Sequence, residues 1–164
     1  MTRWAMVADL RRCVGCQTCT ATCMQGGSSQ CMHVCPSTAT RKRADGIVTI
    51  DYDLCIGCAY CAVACPYQAR YRSDEDEKRP GVATKCTFCV ERIDDGLAKG
   101  LKPGVDPEAT PACVNSCIAN ALHFGDAEDP QSNISQLLAD NRHFRMHEEL
   151  GTGPNFFYLW DKAP

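Results

Sequence analysis

Nowhere does the sequence hold a run of about eighteen apolar residues, the least that crosses a bilayer as a helix. Its opening, MTRWAM, has no apolar stretch of the length an export signal needs, and the twin arginine Arg11 and Arg12 runs into Cys13 rather than into a hydrophobic segment. The expectation is a chain that keeps its thiols reduced rather than a secreted disulfide protein. Charge of one sign is also scarce: the formal net charge is −3, which argues against a nucleic-acid surface. Aromatic residues make up 7% of the chain and aliphatic ones fall in short runs, so a large dry core is not expected from 164 residues. No nucleophile–base arrangement and no phosphate-binding glycine loop is present, so no substrate chemistry is assigned to the chain itself.

What the chain has instead is cysteine, 14 of them. That frequency marks either a disulfide scaffold or a metal protein. They fall in four groups. RCVGCQTCTATC holds Cys13, Cys16, Cys19 and Cys23; CMHVCP holds Cys31 and Cys35; CIGCAYCAVACP holds Cys55, Cys58, Cys61 and Cys65. The last group is split, with Cys86 and Cys89 separated from Cys113 and Cys117 by a proline-rich interval. A cysteine group followed by a short connector is therefore a repeat, occurring four times with variation.

The spacing C-x2-C-x2-C lets one tight loop wrap three corners of a [4Fe–4S] cube, while the fourth thiolate arrives from elsewhere. Two complete runs of this kind, each with its further cysteine, point to iron–sulfur clusters. Gly15 and Gly57 share one slot in those loops, where glycine permits a positive φ and lets backbone N–H groups approach sulfur. Zinc is the alternative of a different class: Cys86 and Cys89 with Cys113 and Cys117 could alone form a tetrahedral site in an interaction module. His33 is the one histidine inside a cysteine group, and imidazole can replace thiolate on iron. A solvent-facing role is the plainer reading for it, and His123, His143 and His147 carry no ligand spacing.

Between the groups, slight secondary structure is expected. Residues 4–8 suit a short strand, and 46–51 a turn followed by a β-branched strand. Residues 59–64 and 112–117 suit a turn or two of helix, and 91–99 a helix stopped by Gly100. A capped helix is expected from Asn133, with Ser132 or Asn133 at its start. The apolar segment 156–160 reads as extended, packed on the chain itself or on a partner. The acidic–basic stretch 74–79 reads as a solvated loop and 102–111 as a stiff spacer.

The order of the runs, with CIGCAYCAVACPYQARY, KCTFCVERID and ATPACVNSCIANALHFGD, resembles the iron–sulfur subunit of the molybdopterin oxidoreductases, the dimethyl sulfoxide and polysulfide reductase group. The likeness covers roughly residues 4–160. GTGPNFFYLW and the 100–111 insertion look nearest to the subunits of phenylacetyl-CoA:acceptor oxidoreductases and sulfite dehydrogenases. The resemblance implies an α+β fold of two intertwined bacterial ferredoxin-like modules: an outer one over 1–30 and 80–125, an inner one over 31–79, and a C-terminal extension over 126–164. It implies a non-catalytic subunit that relays single electrons between a large molybdopterin subunit (molybdenum or tungsten) and a membrane anchor or other redox partner. The expected location is cytoplasmic, on the membrane through that partner, with co-export to the periplasm as the alternative.

Carried over residue by residue, Cys13, Cys16 and Cys19 would take Cys117 as fourth ligand, and Cys86, Cys89 and Cys113 would take Cys23. The inner set would be Cys55, Cys58 and Cys61 with Cys35. A fourth cluster would have Cys31 and Cys65 but lacks two ligands, because the family's second group has four cysteines and a long segment before it. Either the chain carries three clusters, or stretches near 25–30 and 74–79 that would complete a fourth are missing; the short connection before Cys86 favours the second. A free soluble polyferredoxin is the rival electron carrier, and the apolar segments of 118–164 speak against it. Three cubes predict about twelve iron atoms per chain with matching acid-labile sulfide; colourless protein holding only zinc would end the iron–sulfur reading.

Overall fold

The computed structural model describes residues 2–16, 30–74 and 80–162, without the side chains of 30 and 31. Three strand pairings organise it. Strand β1 (Trp4–Asp9) pairs antiparallel with β6 (Leu122–Asp126), so the two ends of the cysteine-bearing region meet, with Trp4 opposite Asp126. Two hairpins lie between them in sequence: β2 (Thr40–Lys42) with β3 (Val48–Ile50), and β4 (Tyr71–Ser73) with β5 (Val82–Thr84). None of β2, β4 and β5 was expected from the sequence. Each has only three residues, too few for the period-two alternation that betrays a strand.

The helices are short: α1 (Gln30–His33), α2 (Tyr60–Val63), α3 (Val90–Ala98), α4 (Ala112–Asn115) and α5 (Asn133–Asp140). A helix of one turn makes almost no internal hydrogen bonds, so α1, α2 and α4 persist only because their flanks are fixed. Helix α3 ends where expected, with Gly100 at φ 76° just beyond it. Its Gly96 faces Ala109 so closely that a Cβ there would collide with the Ala109 side chain. That contact, with Arg92 donating to the carbonyls of Pro107 (2.7 Å) and Thr110 (3.0 Å), fastens the proline-rich interval onto α3. The interval is thus a packed connection rather than a free spacer, and it closes the distance between Cys89 and Cys113.

The C-terminal stretch extends the β1–β6 sheet. Strand β8 (Phe156–Lys162) runs parallel to β1, β7 (Asn141–Phe144) pairs antiparallel with β8, and the sheet order is β6-β1-β8-β7. Phe157 and Leu159 are buried beneath α5 with Val7 and Ile134, so most of the apolar segment packs on its own chain; Trp160 stays half-exposed. Ile134, Phe157 and Leu159 therefore have internal employment and do not by themselves exclude a free electron carrier, while Phe144, Met146, Leu150 and Trp160 stay exposed. Tyr67 and Thr152 join their hydroxyls, which ties the extension to the region of Cys65.

Two further cores sit around cysteines. One gathers Trp4, Phe88, Ile93 and Phe124 with Cys86 and Cys113; Trp4 stacks on Phe124 and Phe88 meets it edge-on, each with centroids 5.6 Å apart. The other gathers Ala39, Ile50, Ala69 and Ala83 with Cys61 and Cys65. Helix α5 is capped as expected: Ser132 Oγ accepts from the Ser135 N–H at 3.1 Å and donates to the Asp126 carbonyl at 2.6 Å. Ser132→Ala should cost about 1 kcal/mol, seen as a fall in thermal midpoint of about 2–4 °C.

Candidate metal centres

One local structure recurs at three cysteines. Helices α1, α2 and α4 each run into a cysteine: the N–H groups of Cys35, Cys65 and Cys117 donate to the carbonyls of Met32, Ala62 and Val114 at 3.4, 3.4 and 3.2 Å. Three residues on, Thr38, Gln68 and Asn120 close a turn by donating back to the cysteine carbonyl at 3.3, 3.2 and 3.0 Å. All three take the left-handed conformation, with φ of 54°, 51° and 46°. That step turns the next N–H onto the sulfur. Ala69 donates to Cys65 Sγ at 3.4 Å and Ala121 to Cys117 Sγ at 3.3 Å, and Ala39 is among the donors to Cys35. The three alanines are buried, as a residue wedged between backbone and sulfur must be. The pattern stands in the sequence as CPSTA, CPYQA and CIANA, but thiol spacing alone does not single it out.

The C-x2-C loops share a second device. Gly15, Gly57 and Phe88 occupy the same slot, with φ of 69°, 67° and 58°. The two glycines thus do what their position implied, and at Gly57 a Cβ would also strike the Gly81 carbonyl oxygen. Phe88 was not anticipated. A phenylalanine in the left-handed region is strained, yet its N–H donates to Cys86 Sγ at 3.3 Å and its ring is locked against Phe124. Aromatic packing holds there what glycine permits elsewhere.

A third device joins two of these turns to a C-x2-C loop. Strand β1 ends at Asp9, whose N–H donates to the Ala121 carbonyl at 2.7 Å and whose carbonyl accepts from the Cys13 N–H at 3.1 Å. Asp51, just past β3, does the first of these at the other hairpin, donating to Ala39 at 2.8 Å, four residues before Cys55. So Cys117 stands to Cys13 as Cys35 stands to Cys55. The buried Asp9 carboxylate accepts from Arg11 three times, at 2.8 to 3.0 Å, and the Arg11 guanidinium holds its carboxyl below the usual carboxylate range. Half of the twin arginine is thereby accounted for as a clamp on the loop.

Cys35, Cys55, Cys58 and Cys61 line a single cavity with Thr40 on its wall. Burial alone would raise the Cys35 thiol, but the N–H groups of Thr40, Ala39 and Ser37 and the Ser37 hydroxyl outweigh it, and the thiol lies below its ordinary value. Cys55 Sγ accepts from the Ala83 N–H at 3.4 Å. Such donors favour the thiolate, the form that binds metal. Among the described residues no three cysteine, histidine or acidic side chains converge as a single tetrahedral ion requires. Four cysteines lining one cavity are the ligand number a cube needs, one thiolate at each corner.

Cys86 and Cys113 share one core, and Cys89 lies within electrostatic reach of both. Burial pushes the Cys89 thiol up, the Ala112 N–H opposes this, and charge on Cys113 and Cys86 adds to the rise. Desolvation and crowding of like charges are relieved when iron takes up the thiolates. Cys13 and Cys16 are exposed at the end of the β1 turn, and Cys117 is half-buried. Cys65 packs with Cys61 and Ala69 in a different core from Cys86. Cys19 and Cys23 lie outside the described residues, as do the side chain of Cys31 and residues 75–79. No described cysteine is in a disulfide. His33 is exposed, as its plainer reading expected.

Repeated loops that present thiolates to backbone donors, on short strands and one-turn helices, define an iron–sulfur protein of the ferredoxin-like kind. The 4Fe-4S dicluster domain family matches residues 14–127. The chain is 38% identical to a subunit of the tetrathionate reductase of Salmonella typhimurium, covering 96% of this chain and 72% of that one. It is 40% identical to a component of the polysulfide reductase of Wolinella succinogenes, over 85% and 65%. With a subunit of the sulfite dehydrogenase of Allochromatium vinosum it is 32% identical, over 97% and 83%. The protein belongs to the iron–sulfur subunits of the molybdopterin oxidoreductases, and its work is electron transfer through [4Fe–4S] clusters. The alignments with the tetrathionate and sulfite relatives run to 196 and 210 positions, more than this chain's 164 residues, so those relatives carry internal stretches absent here.

Phe88→Ala should destabilise the iron-loaded protein by about 3–5 kcal/mol, as loss of a buried ring does. Phe88→Gly should be at least as stable as Phe88→Ala, because glycine relieves the left-handed strain. Urea unfolding at matched iron content measures both, and the usual order, alanine above glycine, would contradict the strained slot.

Proposed function

We propose that the chain holds three complete cluster sites and passes electrons one at a time along them. The inner site is Cys35, Cys55, Cys58 and Cys61. Their common cavity, with N–H donors on Cys35 and Cys55, is the observation that carries the reading. The second site is Cys13, Cys16, Cys19 and Cys117, supported by the Asp9 and Ala121 link that repeats the geometry of Asp51 and Ala39. The third is Cys86, Cys89 and Cys113 with Cys23, supported by the core that Cys86 and Cys113 share and by the electrostatic reach of Cys89 to both. Cys31 and Cys65 would be two ligands of a fourth cluster, its other two belonging to stretches like those the longer relatives carry. The outer module (1–30 and 80–125) and inner module (31–79) divide these sites, with 126–164 laid along β1 as an extension.

When bound, a [4Fe–4S] cube supplies a one-electron couple whose potential the protein sets. The chain's own residues do the rest. The left-handed turns hold N–H groups against Cys65 and Cys117, and the loop slots hold them against Cys86, stabilising the charge on sulfur. The aromatic trio of Trp4, Phe88 and Phe124 keeps water from Cys86 and Cys113.

The catalytic partner is a large molybdopterin subunit acting on a sulfur compound, with a phenylacetyl-CoA-type substrate as the second choice; the names of the similar proteins favour the first. On the other side stands a quinone-linked membrane anchor or equivalent redox subunit. Among the described residues no helix is long and apolar enough to cross a membrane, so attachment would run through that partner. Co-purification of the tagged chain with a molybdopterin-containing subunit tests the partnership, and isolation as a stable monomer at full iron content would favour a free polyferredoxin. Cys58→Ala should lose one cube, about four iron atoms per chain, while the remaining clusters stay; unchanged iron would remove the inner site.

A further inference from the structure

Arg70 follows directly on Ala69, the donor to Cys65. Its side chain is 4% exposed. Nη1 donates to Thr40 Oγ1 at 3.0 Å, while Nε and Nη2 are buried and have no hydrogen-bond partner among the described residues. Among the described residues no ion pair includes it. A guanidinium cannot shed its proton in a protein, and a buried charge is as a rule paired because leaving water uncompensated is so unfavourable. By the polar atoms of the described residues alone, Arg70 is a misplaced charge.

Its one anchor shows where compensation lies. Thr40 is on the wall of the cavity formed by Cys35, Cys55, Cys58 and Cys61, and its N–H is among the donors to Cys35. The residue that holds the guanidinium is thus one of those that touch the ligand sulfur. Four thiolates around an oxidised cube leave a net dianion, and reduction adds one negative charge with no bond made or broken. A fixed buried cation is attracted more strongly to the reduced state than to the oxidised one.

We propose that Arg70 is the counter-charge of the cluster in the Cys35, Cys55, Cys58 and Cys61 site, and that it raises the reduction potential of that cluster above what the sulfur ligands alone would give. The inference rests on the inner-site reading. It assigns a function to the arginine in CPYQAR that a core-filling or surface role does not explain, since it is neither apolar nor exposed. The step is the arrival of one electron from the neighbouring redox centre, made easier by a charge that is already in place.

The test is a redox titration of the anaerobically purified, iron-loaded chain in its native complex, with dithionite as reductant and EPR as readout. The signal in question is the one that Cys58→Ala abolishes; if that variant abolishes no signal and loses no iron, the inner-site reading fails and the inference falls with it. Given such a signal, Arg70→Gln is expected to keep the iron and lower its midpoint. The reduced-to-oxidised ratio at a fixed potential should drop at least tenfold, which is about 59 mV for a one-electron couple. Arg70→Lys, which keeps the charge, should recover most of the shift. An unchanged midpoint in Arg70→Gln, an equal shift in Arg70→Lys, or a shift confined to a signal that survives Cys58→Ala would each overturn the proposal. If Arg70→Gln does not load iron, Arg70→Lys decides: loading at the wild-type midpoint supports the role of charge, and failure to load shows that shape rather than charge is required.

Discussion

Thiolates repel one another, and this chain must hold several of them together in places from which water is largely removed. Everything else in the fold answers that constraint. Iron supplies the attraction, but the polypeptide must first bring sulfurs to the same point and offset their charge. It does so with backbone N–H groups, which carry partial positive charge and no counter-ion. The left-handed residue after each of Cys35, Cys65 and Cys117 is what makes an N–H available, because a right-handed continuation would carry it along the helix and away from sulfur. Local strain at Thr38, Gln68 and Asn120 is thus tied to electrostatics at the metal.

The same constraint accounts for the weak secondary structure. One-turn helices and three-residue strands have little stability of their own. The one-turn helices α1, α2 and α4 each run into a cysteine, so iron ligation would fix what the backbone alone does not, as in other small metal domains. Where no ligand is at hand, the chain uses ordinary devices: the Ser132 cap, the Gly96 and Ala109 contact, and the β8 strand laid parallel to β1. The Phe88 slot lies between the two regimes. A buried aromatic core enforces there a backbone shape that Gly15 and Gly57 adopt freely.

Arg70 and Asp9 show buried charge handled in two ways. Asp9 is satisfied locally, by Arg11 two residues away, and the pair fixes the path into Cys13. Arg70 has one hydroxyl and no carboxylate among the described residues, and it stands behind the wall of a cysteine cavity. That difference is what the proposed counter-charge role of Arg70 answers.

Taken alone, the residue order determined the chemistry: thiol spacing of C-x2-C-x2-C suits one kind of cofactor, and Gly15 and Gly57 mark the backbone shape its loops need. It also located β1, α3, the Ser132 cap and the extended segment that became β8, because each has enough residues or a terminal signal to declare itself. What it could not determine was which cysteines share a space, since that depends on pairing between strands far apart in the chain. The β1–β6 pairing brings Asp9 to Ala121, and the β2–β3 hairpin brings Cys35 to Cys55; neither strand β2 nor β6 announces a partner in its own few residues. Phe88 and Arg70 were illegible for the same reason. A left-handed phenylalanine and a buried arginine each contradict local preference, and only the surrounding packing, which is tertiary, makes them stable.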